Sequence, residues 1–557
     1  MGLDYLFVHV KFNLPPALVM TGLYWPFFTR LDFCRITFLI SVALIATTPW
    51  DSYLIRHNVW TYPSTAVIGK TIFSVPVEEV FFFIIQTYNT SLLYVILTKR
   101  FVLPMYLREA GTKFSIRVRN SGMLVLGVML GLGMACTWVI AYQFMVALPR
   151  REILLSIGIP TLYLWYVDRL SLQRGTWVIE SGTKLGIQLW DHLDVEEALF
   201  FLLTNTMIVL GLVAVDHAVA IAQYEIASGS TSSSEMPSFQ KLFSMYMIDR
   251  RMEHDERFLE SLADAVQRVA SRSQSMYMGS AMFQGQLRID LIFLYSFCRI
   301  IDDLVDEAPD RETARRSIQE CSRLLHLRFN QVSLSDKEPA STGSLVSSIE
   351  LLPVSRLSIQ PLLGLLQGMR TDLTFDSDKN VHPIATEADL ETYAYHVAGT
   401  VAASVFELIF SHYGYQSGTD PASSRQIIAA GERMGQALQY VNIARDVDRD
   451  AQIGRVYLPT TWLGEFGLTP ADVLADPTNP ALDHLKRRLL DKADDYYRDT
   501  VDAIDRLPNE VRGPIKTTLQ SYMGIGRAIR EGRYRHRGKK LKVPLWRRLV
   551  IAYSAMS

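Results

Sequence analysis

The pattern of apolar and charged positions divides the chain into two halves suited to different solvents. Stretches free of Asp, Glu, Lys and Arg run 12–29, 36–50, 80–98, 120–149, 153–167 and 198–215. A helix that crosses a bilayer needs about 20 mostly apolar residues, with tolerance near its ends. The run "NSGMLVLGVMLGLGMACTWVIAYQFMVALP" (120–149) meets that outright. The shorter runs meet it when flanking Arg35 or Asp168 sits at the interface, so the pattern predicts six spans, give or take one. From about 241 apolar residues recur at helical spacing among charges, as in "LLDKADDYYRDTVDAIDRL" (489–507). Alternation of the strand type is scarce, so this half is predicted to be all-α. Between the halves, "EIASGSTSSSEMPSFQ" (225–240) has the composition of a linker. The resulting division is a membrane bundle over 1–224, a linker over 225–240 and a helical domain over 241–557. The stretches 330–361 and 467–483, polar or proline-containing, are expected to be surface loops.

Composition narrows the classes. The formal charge of −1 gives no reason to expect nucleic acid as a partner. A mean hydropathy of +0.12 is high for a wholly soluble chain, and the excess lies in the first 220 residues. Cys34, Cys136, Cys298 and Cys321 are scattered without metal-ligand spacing, which argues against a disulfide framework or a zinc site. The N-terminus lacks a basic region and a small-residue cleavage site, so no removable signal peptide is expected. Lys99, Arg100, Arg108, Lys113, Arg117 and Arg119 after the third run favour a cytosolic side there. Six spans would then place the second half on the opposite face, and the orientation stays open.

The first half is duplicated. "VPVEEVFFFIIQT" (75–87) is echoed by "LDVEEALFFLLTN" (193–205) at an offset of 118, while Asp51 and Trp60 align with Asp168 and Trp177 at 117. The two copies of about three spans are therefore inverted, an arrangement that places sites at the repeat interface near the midplane. Glu78, Glu79, Glu196 and Glu197 are candidate acids and bases. Carboxylates in a bundle are costly and rarely idle, although capping of helix N-termini is the plainer reading. Adjacent residues diverge by about 100° on a helix, so one of each pair can cap while the other faces the bundle. A buried acid can protonate an alkene and a nearby carboxylate can recover a proton.

In the second half, "CRIIDDLVDE" (298–307) sets Asp302 and Asp306 on one helix face with Arg299 a turn earlier. "QYVNIARDVDRD" (439–450) sets Asn442, Asp446 and Asp450 in a row, with Gln439 and Arg445 beside it. The aliphatic residues around both pairs are unlike a solvated face. Facing rows would hold divalent ions through oxygen and, through them, a diphosphate, with Arg299 and Arg445 stabilising its departing charge. An EF-hand reading fails, since Ala451 and Tyr457 stand where its loop needs Gly and Glu. No G-x-G-x-x-G follows a predicted strand.

The doubled VEE helix, the duplication and "TPWD" (48–51) resemble the membrane carotenoid cyclases of archaea, actinobacteria and fungi. The resemblance implies closure of lycopene ends to β-rings, giving γ- or β-carotene, without redox change and without flavin. The second copy carries Asp194 where the family's proline stands at Pro76 in the first. "SRSQSMYM" (271–278), "CRIIDDLVDE", "YAYHVAGTV" (393–401) and "NIARDVDRDAQIGRVYLP" (442–459) resemble the head-to-head prenyl synthases that make phytoene and squalene. That family implies an all-α isoprenoid-synthase fold, which joins two geranylgeranyl diphosphates through prephytoene diphosphate to 15-cis-phytoene. By match Asp302, Asp306, Asp446 and Asp450 would hold Mg²⁺ or Mn²⁺ with help from Asn442. Arg299, Ser273, Ser275 and Gln439 would approach substrate. Tyr393 and Tyr457 would stabilise carbocations or position the leaving group, or else simply pack in the core. Gln274 stands where many relatives carry Lys.

The order of halves is that of the fungal bifunctional lycopene cyclase/phytoene synthases. It implies a multi-pass protein of the endoplasmic reticulum or another internal membrane, with a phytoene desaturase as the partner that links the two steps. No nicotinamide cofactor is expected. A squalene-type synthase using NADPH is one alternative. Another makes the first half only a membrane anchor or polyene-binding module. The basic segment "RYRHRGKKLKVPLWRRL" (533–549) is a solvated tail or a dock for anionic lipid.

Overall fold

The computed structural model describes residues 2–108, 144–179, 185–229, 254–332, 343–376, 379–413, 421–532 and 544–556. The predicted span 120–149 lies outside the described residues except for its last six, as do most of the linker and most of the basic segment. Two compact units result, Met1–Glu260 and Ser261–Ser557.

Among the described residues of the first unit, five helices are long and apolar enough to cross a bilayer: α1 (Asp4–Phe27), α2 (Arg30–Arg56), α3 (Val77–Thr98), α4 (Arg150–Arg174) and α5 (Val195–Ala227). The last of these carries the bundle three residues into the predicted linker. α3 and α5 form the interior, while α1, α2 and α4 are mostly uncovered. Leu18, Leu23, Phe33, Ile45 and Leu154 point outward and bare, a distribution stable in lipid but not in water. Inside, Leu92, Tyr94 and Val95 of α3 pack on Val209, Leu212 and Val213 of α5.

The duplication extends to the backbone. Each VEE helix is preceded by a short antiparallel ribbon, β2 (Thr71–Ile72) with β3 (Val75–Pro76) and β5 (Gln188–Trp190) with β6 (Leu193–Asp194). Gly69 and Gly186, 117 apart, enter these ribbons at φ 84° and 71°, a region that only glycine occupies without strain. β1 (Trp60–Thr61) of one copy pairs with β4 (Val178–Ile179) of the other, clasping the repeats together.

Two buried polar knots join helices. Arg35 of α2 bonds Asp216 of α5 at 2.5 Å and Asp32 at 2.6 Å, Lys99 approaches Asp32 at 3.3 Å, and Tyr94 donates to Asp216 at 2.7 Å. Nearer the centre, Asn205 accepts from Thr90 at 2.7 Å and donates to Thr161 at 3.1 Å, tying α3, α4 and α5. Hydrogen bonds of this kind replace the hydrophobic drive that lipid does not supply.

The second unit is all-α, as predicted. α6 (Gly285–Asp306), α7 (Ile359–Asp372), α8 (Glu387–Tyr413), α9 (Pro421–Gln452) and α10 (Ala481–Ile504) surround two apolar cores. α8 has the composition of a span, yet it lies within this unit, where Phe406, Leu408 and Ile409 join the core. The predicted loop 330–361 needs correction: Gly343–Glu350 is a helix that buries Leu345, Val346 and Ile349. In 467–483 a six-residue helix (Pro470–Ala475) interrupts the loop and anchors it through buried Val473.

Candidate active sites

In the membrane unit the two glutamates of each copy part company. Glu78 accepts the backbone N–H of Ile68 at 2.7 Å, and Glu196 accepts that of Leu185 at 2.6 Å. These are equivalent bonds in the two copies, and each holds the loop leading into its ribbon. The next residue on each helix, Glu79 or Glu197, is turned by roughly 100° and lines a pocket with Asp168, Tyr5, Tyr62, Trp60 and Trp177. Phe82, Phe200 and Phe201 complete an aromatic wall.

The N-terminal helix reinforces this site. Its π-helical turn His9–Asn13 sets His9 to donate from Nε2 to the Glu78 carbonyl at 2.9 Å, while Nδ1 accepts from Asn13. Tyr5 and Tyr62 both donate to Glu79 Oε2, Tyr62 at 2.9 Å. Trp177 donates to Asp168 at 3.1 Å. The second Asp168 oxygen and one of Asp51 are buried without a hydrogen-bond partner. Sequence reasoning aligned Asp51 with Asp168 but did not place Asp168 in the site, and it missed Tyr5 and Tyr62. The alignment itself was the available signal for Asp168. None marked the tyrosines.

In the second unit Asp302 and Asp306 end α6, and Asn442, Asp446 and Asp450 lie on the last three turns of α9. Arg299 bonds Asp302 at 2.7 Å and Asp303 at 2.6 Å, and Arg445 bonds Asp446 at 2.8 Å. Arg455, in the turn after α9, reaches Asp306 at 3.0 Å and so links the two rows. Its backbone N–H bonds the carbonyl of Asp450 at 2.9 Å. Burial, followed by the neighbouring Asp306, raises the Asp302 pKa. Burial and Asp446 push Asp450 up to about 7.

The tyrosines of the two motifs converge on a residue that sequence reasoning missed. Tyr393 and Tyr457 donate to the same oxygen of Asp372 at 2.9 and 2.8 Å, with their rings stacked at 4.9 Å. A π-helical turn, Tyr395–Gly399, interrupts α8 just beyond Tyr393, and such turns often mark functional sites. Burial raises Asp372 to about 6, against the pull of Arg455 and the two hydroxyls. Ser273 caps the next helix by accepting from Met276, and Gln439 accepts from Asn442 at 3.4 Å. Neither bonds to an aspartate of the rows. The side chain of Ser275 lies outside the described residues.

A hard divalent ion fits the chemistry of this donor set. Every donor is oxygen, the carboxylates crowd one another, and Asn442 Oδ1 is buried without a hydrogen-bond partner. Among the described residues, however, no three such groups already converge on one point. Arginines hold the carboxylates instead.

Residues 269–547 match the squalene/phytoene synthase family, whose members use divalent metal ions. A solved dehydrosqualene synthase aligns with 54% of this chain and 96% of its own at 22% identity and a TM-score of 0.45. By the family match, the chain carries a synthase of the squalene/phytoene class, which follows a bundle of membrane-type helices in the sequence. Over its whole length it is 49% identical to a bifunctional lycopene cyclase/phytoene synthase of Arthroderma gypseum, with both chains fully covered. Those of Aspergillus oryzae and Leptosphaeria maculans are 47% and 42% identical, again with full coverage of both chains. The chain belongs to the bifunctional lycopene cyclase/phytoene synthase family.

Proposed function

We propose that the second unit condenses two geranylgeranyl diphosphates to 15-cis-phytoene through prephytoene diphosphate. The membrane unit, after desaturation by another enzyme, closes lycopene ends to β-rings. The observation that carries the cyclase reading is the meeting of carboxylates from both repeats, Glu79, Asp168 and Glu197, in one aromatic-walled pocket. Ring closure without redox change needs a proton donor, a proton acceptor and exclusion of water, and aromatic faces suit a passing carbocation.

For the synthase, Asp302, Asp306, Asp446 and Asp450 would hold Mg²⁺ or Mn²⁺, which when bound neutralises diphosphate charge. Arg299, Arg445 and Arg455, which bond to the Asp rows, would take up charge on the leaving group. The Tyr393–Tyr457 stack, fixed by Asp372, presents an aromatic surface to a cation. Ser273, Ser275 and Gln439 belong to the reading as substrate contacts. The uncovered apolar helices support residence in a bilayer, and the endoplasmic reticulum or another internal membrane is the proposed compartment.

Expression in a host that makes geranylgeranyl diphosphate, with and without a phytoene desaturase, tests both halves. Phytoene should accumulate without the desaturase and ring-bearing pigment with it. Lycopene accumulating unchanged would reduce the membrane unit to an anchor, and squalene-type product dependent on NADPH would replace the synthase reading.

A further inference from the structure

Although the pocket is built from two copies of one motif, its two glutamates are held differently. Glu79 Oε2 receives two phenolic hydroxyls, from Tyr5 and Tyr62. An oxygen that already accepts two O–H bonds is arranged as an acceptor and not as a donor. Tyr5 is itself fixed, its ring centroid 5.0 Å from that of Trp177 and 6.0 Å from that of Tyr62. Glu197 lines the same pocket with no hydrogen-bond partner among the described residues.

The sequence shows why the copies differ. In the repeat register that aligns Trp60 with Trp177, Tyr62 aligns with Ile179, so the second copy has no hydroxyl at that place. Tyr5 comes from the N-terminal helix, outside the VEE segments altogether.

We propose that the pseudosymmetric pocket is a one-way site, in which Glu197 delivers the proton to the polyene and Glu79, seated by Tyr5 and Tyr62, takes one back. The assignment rests on the cyclase reading above. The Glu197 O–H bond breaks as a C–H bond forms on the terminal alkene of lycopene, leaving a tertiary cation. The electron pair of the inner double bond closes the six-membered ring onto that cation and moves the charge into the ring. A ring C–H beside the new cation then breaks, its electrons become the ring double bond, and its proton goes to Glu79. No oxidant or reductant is needed. Asp168, which interacts with both glutamates, is placed to return the proton and reset the pair.

The test uses the full chain in membranes fed lycopene in deuterated buffer, with phytoene formation by the same chain as a control for expression. Wild type should give β-rings carrying one deuterium each. If wild type forms no rings, the cyclase reading itself fails and the division of roles with it. Glu197→Gln should lose ring formation by about 10²- to 10⁴-fold and leave lycopene unlabelled. Glu79→Gln should still take up deuterium, now in rings with a displaced double bond or in alcohols formed when water captures the cation. Tyr62→Phe, which removes one seat of the acceptor, should raise the ratio of displaced isomers to β-rings among the labelled products, and an unchanged ratio would count against the acceptor role of Glu79. Glu197→Asp, returning part of the labelled β-ring yield, would exclude misfolding as the cause of the Gln result. Deuterated products from Glu197→Gln, or none from Glu79→Gln while Glu79→Asp is active, would overturn the assignment.

Discussion

Replacing Arg35 by Met should destabilise the membrane bundle strongly, although the site lies far from any pocket residue. Tyr94 and Glu79 are fifteen residues apart on α3, so the knot and the pocket are separated by about 22 Å along the helix. Arg35 bridges Asp32 and Asp216, whose side chains are 0% and 1% exposed. Without it Asp32 keeps Lys99 at 3.3 Å, whereas Asp216 keeps only the neutral hydroxyl of Tyr94. Removing one partner of a buried pair costs about 3–5 kcal/mol because a charge is left uncompensated. The retained lysine argues for the lower end, about 3 kcal/mol, or roughly a hundredfold in the folding equilibrium. Unfolding of the detergent-solubilised chain would be followed by SDS titration, with Arg35→Met compared against Arg35→Met/Asp216→Asn. The double variant removes the stranded charge and should recover more than half of the loss. A single variant as stable as wild type, or a double variant weaker than the single, would refute the reasoning.

Three other outcomes follow from the same geometry. Asp302→Asn and Asp446→Asn should each abolish metal-dependent phytoene formation and leave ring closure intact; retained condensation in either would remove those residues from the metal-binding set. Asn205→Leu should cost about 1–3 kcal/mol by breaking two interhelical bonds, seen as a lower SDS midpoint, and an unchanged midpoint would mean that the bonds are replaced. Asp372 has its pKa raised from 3.8 to about 6 by burial. Its ionised form therefore opposes folding, and its contribution to stability falls as pH rises from 3.8 to 6. Relative to wild type, Asp372→Asn should accordingly gain about 2 kcal/mol between pH 4 and pH 7. Unfolding curves at the two pH values that differ by a constant amount would contradict this.

Much of the architecture was legible because periodicity and repetition are local signals. The charge-free runs matched five described helices, and the Asp rows declared themselves by i, i+4 spacing. The pairing of glutamates was also readable, but not their division. Which member faces the pocket depends on the rotation of α3 and α5, fixed by backbone N–H groups of Ile68 and Leu185 ten or more residues away. Tyr5 meets Glu79 across 74 residues of sequence, and Asp372 meets Tyr457 across 85. No spacing rule reports such contacts. Gly343–Glu350 was misread because its Gly and Ser content masks a short apolar stripe that tertiary packing makes helical.

Placing both units in one polypeptide has a consequence for output. The two catalytic centres are always present in equal numbers, whatever the level of expression. Each condensation makes one linear polyene, yet that polyene has two ends to close. A fully bicyclic product therefore needs the membrane unit to turn over twice for every synthase turnover, and no change of gene dosage can alter that ratio. With desaturation in excess, the fraction of monocyclic pigment becomes a gauge of the relative speed of the two sites. A partial synthase defect, such as Arg299→Lys, should enrich the bicyclic product by giving the membrane unit more time per polyene, and an unchanged ratio of bicyclic to monocyclic pigment would contradict this.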